Sequence, residues 1–140
     1  MISLPMSGIV VGLPFYWDII HYEPGGSIQE DRLFRISKSL TNDAEFATVY
    51  KADALSPVIP RGAVVLLRSC PIEALTYDNA YYVVTSYTRS WRFVLQGADA
   101  AHVRLTTCCP GIYEDREILK GQIKNLYGVC AVFVLDPPCK

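Results

Sequence analysis

Three observations predict an all-β fold, mainly strands with at most short helical turns. No window of helical length keeps apolar residues at a 3.6-residue period. Short runs rich in valine, leucine, tyrosine and tryptophan recur instead, at the length of single strands. Between them lie turn residues, each with its own backbone chemistry: glycine for positive φ, proline for a fixed φ, Asp and Asn for side-chain-closed turns.

In chain order the strands are expected at Phe15 to His21, Leu33 to Ser37, Ala47 to Lys51, Ala63 to Arg68, Ala80 to Ser86, Trp91 to Gln96, Val103 to Thr107 and Leu126 to Leu135. The run Ile9 to Trp17 is apolar, carries Pro14 and reads as the entry to the first strand. It lacks the basic flank and small-residue cleavage site of a signal peptide, and is far below the ~20 residues that span a bilayer. Glu23-Pro24-Gly25-Gly26 turns the chain before the second strand, and Pro57 to Gly62 turns it before the fourth. Tyr77-Asp78-Asn79 precedes the fifth strand, which a short link joins to the sixth as a hairpin. Gly97-Ala98-Asp99 and Pro110-Gly111 follow, and Glu114 to Lys120 is the one stretch with a weak helical turn.

At 140 residues, 51% hydrophobic and 19% charged, the chain has the apolar content for one compact domain over residues 1–140. The net charge of -1 and the scatter of 13 basic residues give no footprint for direct nucleic-acid binding. Cysteines 70, 108, 109, 130 and 139 are odd in number and lack C-x-x-C spacing; His21 and His102 are isolated. No metal site and no cofactor are expected, and the thiols read as reduced and mostly buried in a cytoplasmic protein.

The most specific stretch is Asp53-Ala54-Leu55-Ser56-Pro57-Val58-Ile59-Pro60-Arg61-Gly62, followed by Ala63 and the run Val64 to Leu67. It resembles the active-site segment of the self-cleaving LexA-like repressor peptidases, the S24 peptidase family, where a pattern close to G-D-S-M-S-P-x-I-x-x-G-D precedes a strand. Asp53, Ser56, Pro57, Ile59 and Gly62 match position by position. Further segments follow in the family's order: Tyr16 to Ile19, Pro24-Gly25-Gly26, Asp78 to Val84, Trp91 to Gln96, Cys109 to Tyr113 and Tyr127-Gly128-Val129. The resemblance covers Tyr16 to Val129 and implies a LexA/signal-peptidase-like β-clip fold.

It also implies a dead site. A Ser-Lys peptidase needs a hydroxyl nucleophile and a neutral lysine beside it. The nucleophile's position holds Ala54, and the lysine's position, two before Leu95-Gln96, holds Phe93. The nearby cations Arg89, Arg92 and Arg104 cannot act as bases near neutral pH. Ser56 is the outside candidate for a relocated nucleophile, but it lies about 6–7 Å along an extended chain from position 54 and lacks a base. Its simpler reading is a turn hydroxyl. Gly25-Gly26 sits where the family has its scissile bond and reads here as a surface turn. Asp53 reads as an Asx-type turn residue. Tyr81, Tyr82, Trp91 and Phe93 read as cross-strand core pairs, with a peptide-binding groove as the competing role.

The function expected from this reading is a catalytically inactive LexA-like dimerisation or regulatory module of a transcriptional-repressor-type protein. The alternatives are a peptidase using Ser56 and a peptide- or ligand-binding β domain unrelated to transcription. Partners expected are a second copy of the chain and a helix-turn-helix DNA-binding segment or partner protein, with no DNA-binding domain in residues 1–140 and no membrane. Leu126 to Leu135 is long, apolar and near the chain end, so an uncovered edge there would pair; Val129, Ala131 and Phe133 are its dimer-interface candidates.

Overall fold

The structure, a computed structural model, describes residues 9–22, 32–108 and 115–134. Nine strands account for most of them: β1 (Val10–Tyr16), β2 (Arg32–Ser37), β3 (Phe46–Val49), β4 (Val64–Ser69), β5 (Asn79–Thr85), β6 (Arg89–Gln96), β7 (His102–Thr106), β8 (Arg116–Leu119) and β9 (Ile123–Phe133). The helical content described is four single turns of 3-10 helix, and the all-β expectation holds. No helix among the described residues is long and apolar enough to cross a membrane. Two compact units are distinguished, one of residues 1–50, 62–68 and 130–140, the other of 51–61 and 69–129.

In the first unit β2 pairs antiparallel with β1, β1 pairs parallel with β3, and β3 pairs antiparallel with β4. The first strand differs from its expected span. β1 takes in Val10 to Leu13 and stops at Tyr16, because the Asp18 carboxylate accepts the Ile20 N–H at 3.1 Å and closes a helical turn at Ile19–His21. Pro14 has no N–H for the ladder, and the β1–β3 pairing begins only after it, at Phe15 and Tyr16. The alternate residues Leu13 and Phe15 of β1 join Ile36, Ala47, Val64 and Leu66 in a buried cluster. β4 buries four successive residues, Val64 to Leu67, as a strand covered on both faces must.

In the second unit β5 lies between β9 and β6, and β7 and β8 follow as antiparallel neighbours. The β5–β6 hairpin is the one expected, with Tyr82 opposite Trp91. Tyr81, Val83, Val94, Val103, Leu105, Ile118 and Leu126 form its buried cluster. Gly97 permits the turn from β6 into β7, because a Cβ there would meet the His102 backbone carbonyl at 2.6 Å.

Two expectations are corrected here. The helical turn at Glu114 to Lys120 is not formed: Arg116–Leu119 is β8, hydrogen-bonded along β7 from His102 to Leu105. Glu114 itself lies outside the described residues. Ladder bonds to a long-range partner outweigh a four-residue helical preference that cannot pass its own nucleation cost. The second concerns β9, one side of which is covered within the second unit. Within the second unit β5 pairs with it from Ile123 to Gly128, and Ala131 and Phe133 pack against the first unit's apolar cluster, Phe133 at 6.0 Å from the Phe34 ring. Val129 is half-buried in the same strand.

Candidate functional site

The segment carrying the motif is a loop pinched at its base. Tyr50 donates its N–H to the Ala63 carbonyl at 2.9 Å, and Gly62 donates to the Tyr50 carbonyl at 2.8 Å. Gly62 sits at φ 90°, a conformation that strains any side-chain-bearing residue, so the glycine of the motif is needed by the backbone itself.

Inside the loop the apolar motif residues point inward. Leu55 is fully buried, Ile59 and Ala54 nearly so, while Val58 is exposed. Ser56 donates its N–H to the Asp53 carbonyl at 3.0 Å, Ile59 donates to the Leu55 carbonyl at 2.9 Å, and the Ser56–Pro57 peptide between them is cis. The loop is tied down at the end of β7: Cys108 donates its N–H to the Ala54 carbonyl at 2.8 Å and its thiol to the Leu55 carbonyl at 3.3 Å.

Ala54 and Phe93 are each linked to β7 or its end. Phe93 on β6 stands opposite Thr106 on β7, and Cys108, which holds Ala54, is two residues past Thr106. Phe93 is half-buried. By strand alternation it shares a sheet face with Trp91, the opposite face from Val94. Ala54 therefore occupies a closed, packed position with a methyl group that has no nucleophilic chemistry.

Ser56 has the turn role. Its hydroxyl is within 3.1 Å of the Ile59 carbonyl and 3.4 Å of the Ala52 carbonyl, so its proton is directed at backbone acceptors. The recorded partner of the Asp53 carboxylate is Arg61, at 3.3 Å across the loop mouth, rather than local backbone N–H groups. Both side chains are more than half exposed, and a pair of this kind contributes little.

The aromatic residues form core pairs. Tyr82 and Trp91 are 6% and 7% exposed, with ring centroids 5.0 Å apart, and Tyr127 lies 6.4 Å from Tyr82. Tyr81 sits in the apolar cluster with its hydroxyl bonded at Thr76. Gly25 and Gly26 lie outside the described residues, as do Cys109 and Cys139 and the side chain of His21. Cys70, Cys108 and Cys130 are not joined in disulfides among the described residues.

His102 is less isolated than its sequence position suggests. Its Nδ1 lies 2.7 Å from Asp99 Oδ1. That hydrogen bond, aided by the charges of Asp99 and Glu117, raises the imidazole pKa above its ordinary 6.5; the same bond, with the Ala101 N–H, lowers the Asp99 carboxyl below 3.8. The His102 contribution to stability is complete below pH 6.5 and lost as pH rises through its raised pKa. The Asp99 contribution is present above pH 3.8 and lost as pH falls through its lowered pKa. The pair is fully effective between those values. Asp99→Asn is expected to bring the His102 titration, followed by NMR, back toward the ordinary value; an unmoved titration counts against the pairing.

A feature the linear sequence conceals is a cavity of about 540 Å³ in the second unit, lined by the β5–β6 turn, Arg92, Arg116 and the turn before β9. Compared with models of protein families and with curated proteins, the chain matches none.

Proposed function

We propose that this chain is a non-catalytic LexA-like module, serving dimerisation or regulation in a transcriptional-repressor-type protein. The observation that carries the proposal is Ala54: buried at the nucleophile's position, with its carbonyl held by the Cys108 N–H. The half-buried Phe93 at the lysine's position and the backbone-directed Ser56 hydroxyl support the same reading. A chain with neither nucleophile nor base at these positions acts by binding.

Incubation of the intact protein with a fluorophosphonate probe, across a pH series up to about 10 where a lysine base is neutral, is expected to give no label. The polypeptide should remain a single band, uncut at Gly25-Gly26. Labelling that disappears in Ser56→Ala would replace this reading with a peptidase whose nucleophile has moved. Self-association is assigned to an edge other than β9. Among the described residues β2 is paired on one side only, with β1, and it presents Leu33 exposed. Light scattering is expected to show a dimer at high micromolar concentration that Leu33→Lys dissociates, and a monomer throughout removes the dimerisation role.

A further inference from the structure

The cavity in the second unit is cationic. Among its thirteen lining residues are Arg89, Arg92, Arg116 and Lys124, and no carboxylate. These residues are scattered along the sequence, and folding gathers them against the net charge of -1 of the whole chain. No ion pair among the described residues engages Arg89, Arg116 or Lys124, whereas the guanidinium of Arg92 is steadied by a 2.8 Å bond to the Trp91 carbonyl.

The backbone around the cavity is arranged so that these cations converge. On β5 and β9 the register jumps from Val84 opposite Asn125 to Thr85 opposite Ile123, which leaves Lys124 as the extra residue of a β-bulge. Bulges of this type redirect a side chain out of the regular alternation, and Lys124 lines the cavity. The β5–β6 turn is held by Thr85, whose hydroxyl accepts the N–H groups of Tyr87 and Thr88 at 3.2 and 3.1 Å and bonds the Thr88 hydroxyl at 2.9 Å. Arg89 follows directly on that ordered turn. Arg116 stands opposite Leu105 on β7, and the apolar Leu105 and Ile118 also line the cavity. Four like charges around one hollow repel one another, a cost that an anion removes on binding. Guanidinium groups match phosphate oxygens in two-pronged geometry, and a lysine adds a point charge. The volume falls in the range of small-molecule sites.

We propose that this cavity binds a diphosphate-bearing small molecule, its phosphates held by Arg89, Arg92, Arg116 and Lys124. Tyr87, 92% exposed in the turn and part of the cavity lining, offers a ring face to an aromatic base where the diphosphate belongs to a nucleotide. The proposal does not depend on the LexA-like reading, because none of these residues belongs to the degenerate dyad or its loop.

Titration calorimetry of the full chain with pyrophosphate and with ADP, at low and high salt, tests it. Binding of at least one probe is expected, weakening as salt rises. Removing an exposed cation, in Arg116→Gln or Lys124→Gln, should lower affinity about tenfold each, the usual worth of a charge-assisted bond. These side chains are at the surface, and circular dichroism should show both variants folded. Tighter binding of ADP that falls in Tyr87→Ala assigns the diphosphate to a nucleotide; equal binding of both probes, unaffected by Tyr87→Ala, assigns it to inorganic pyrophosphate. Failure of both probes to bind at millimolar concentration, binding only of an oligonucleotide, or affinity unchanged in Arg116→Gln and Lys124→Gln overturns the proposal.

Discussion

Phe46→Ala is expected to lower the unfolding free energy by about 4 kcal/mol, the middle of the range for truncation of a fully buried ring. Phe46 has no exposed surface. Its ring stacks on Tyr22 at 3.7 Å between centroids and 9° between planes, and meets the Tyr16 edge at 6.0 Å. Alanine leaves both tyrosines facing a void, and β3 has only four residues, paired from Phe46 opposite Leu67 to Val49 opposite Val64, with which to compensate. Urea denaturation followed by far-UV circular dichroism measures the effect. A loss below about 1 kcal/mol, the level of an average substitution, would mean that the three-ring stack does not hold the first unit together.

Leu55→Ala is expected to cost about 3 kcal/mol, the middle of the range for a buried leucine. Here the result bears on function. Leu55 has no exposed surface, and the carbonyls of Ala54 and Leu55 are the points at which Cys108 holds the motif loop. A large loss identifies the motif loop as an integral part of the second unit's packing. Val58→Ala, three residues on and 66% exposed, is the internal control, with an effect within about 0.5 kcal/mol. If both variants lose equally little, the segment is a surface loop, and the packed-site argument behind the non-catalytic reading loses its support.

Much of the fold was legible in the residues. The runs around Val64 to Leu67, Tyr81 to Val84 and Val103 to Leu105 are strands because β-branched and aromatic side chains fit a pleated, buried surface. Their ends followed from local chemistry at Asp78, Gly97 and Gly62. The start of β1 was less legible. Pro14 suggested a strand beginning after it, yet β2 pairs across from Val10 onward, and a distant partner is what extends a strand past its own proline. For β8 the local pattern Arg116 to Leu119 is too short to decide between helix and strand, and the exposed backbone of β7 decided it. Phe133 reads as an interface residue in the sequence because apolar runs near a chain end are ambiguous between core and contact; in the fold it is partly buried, with its ring tilted against Phe34.

Of the candidate site, the chemistry at positions 54 and 93 was readable without coordinates, since Ala54 and Phe93 cannot supply a nucleophile or a base in any conformation. Ser56 as a turn hydroxyl was likewise a local matter, settled within four residues. The sequence alone thus determined an all-β chain and what chemistry positions 54 and 93 cannot perform, because periodicity, turn geometry and functional groups are properties of neighbouring residues. Tertiary structure alone decided that β9 pairs with β5, that Cys108 holds the motif loop, and that Arg89, Arg92, Arg116 and Lys124 share one cavity. Each of those depends on pairing between segments far apart in the chain, and the register of that pairing, down to a single bulged residue at Lys124, is set by which faces are buried when the strands meet.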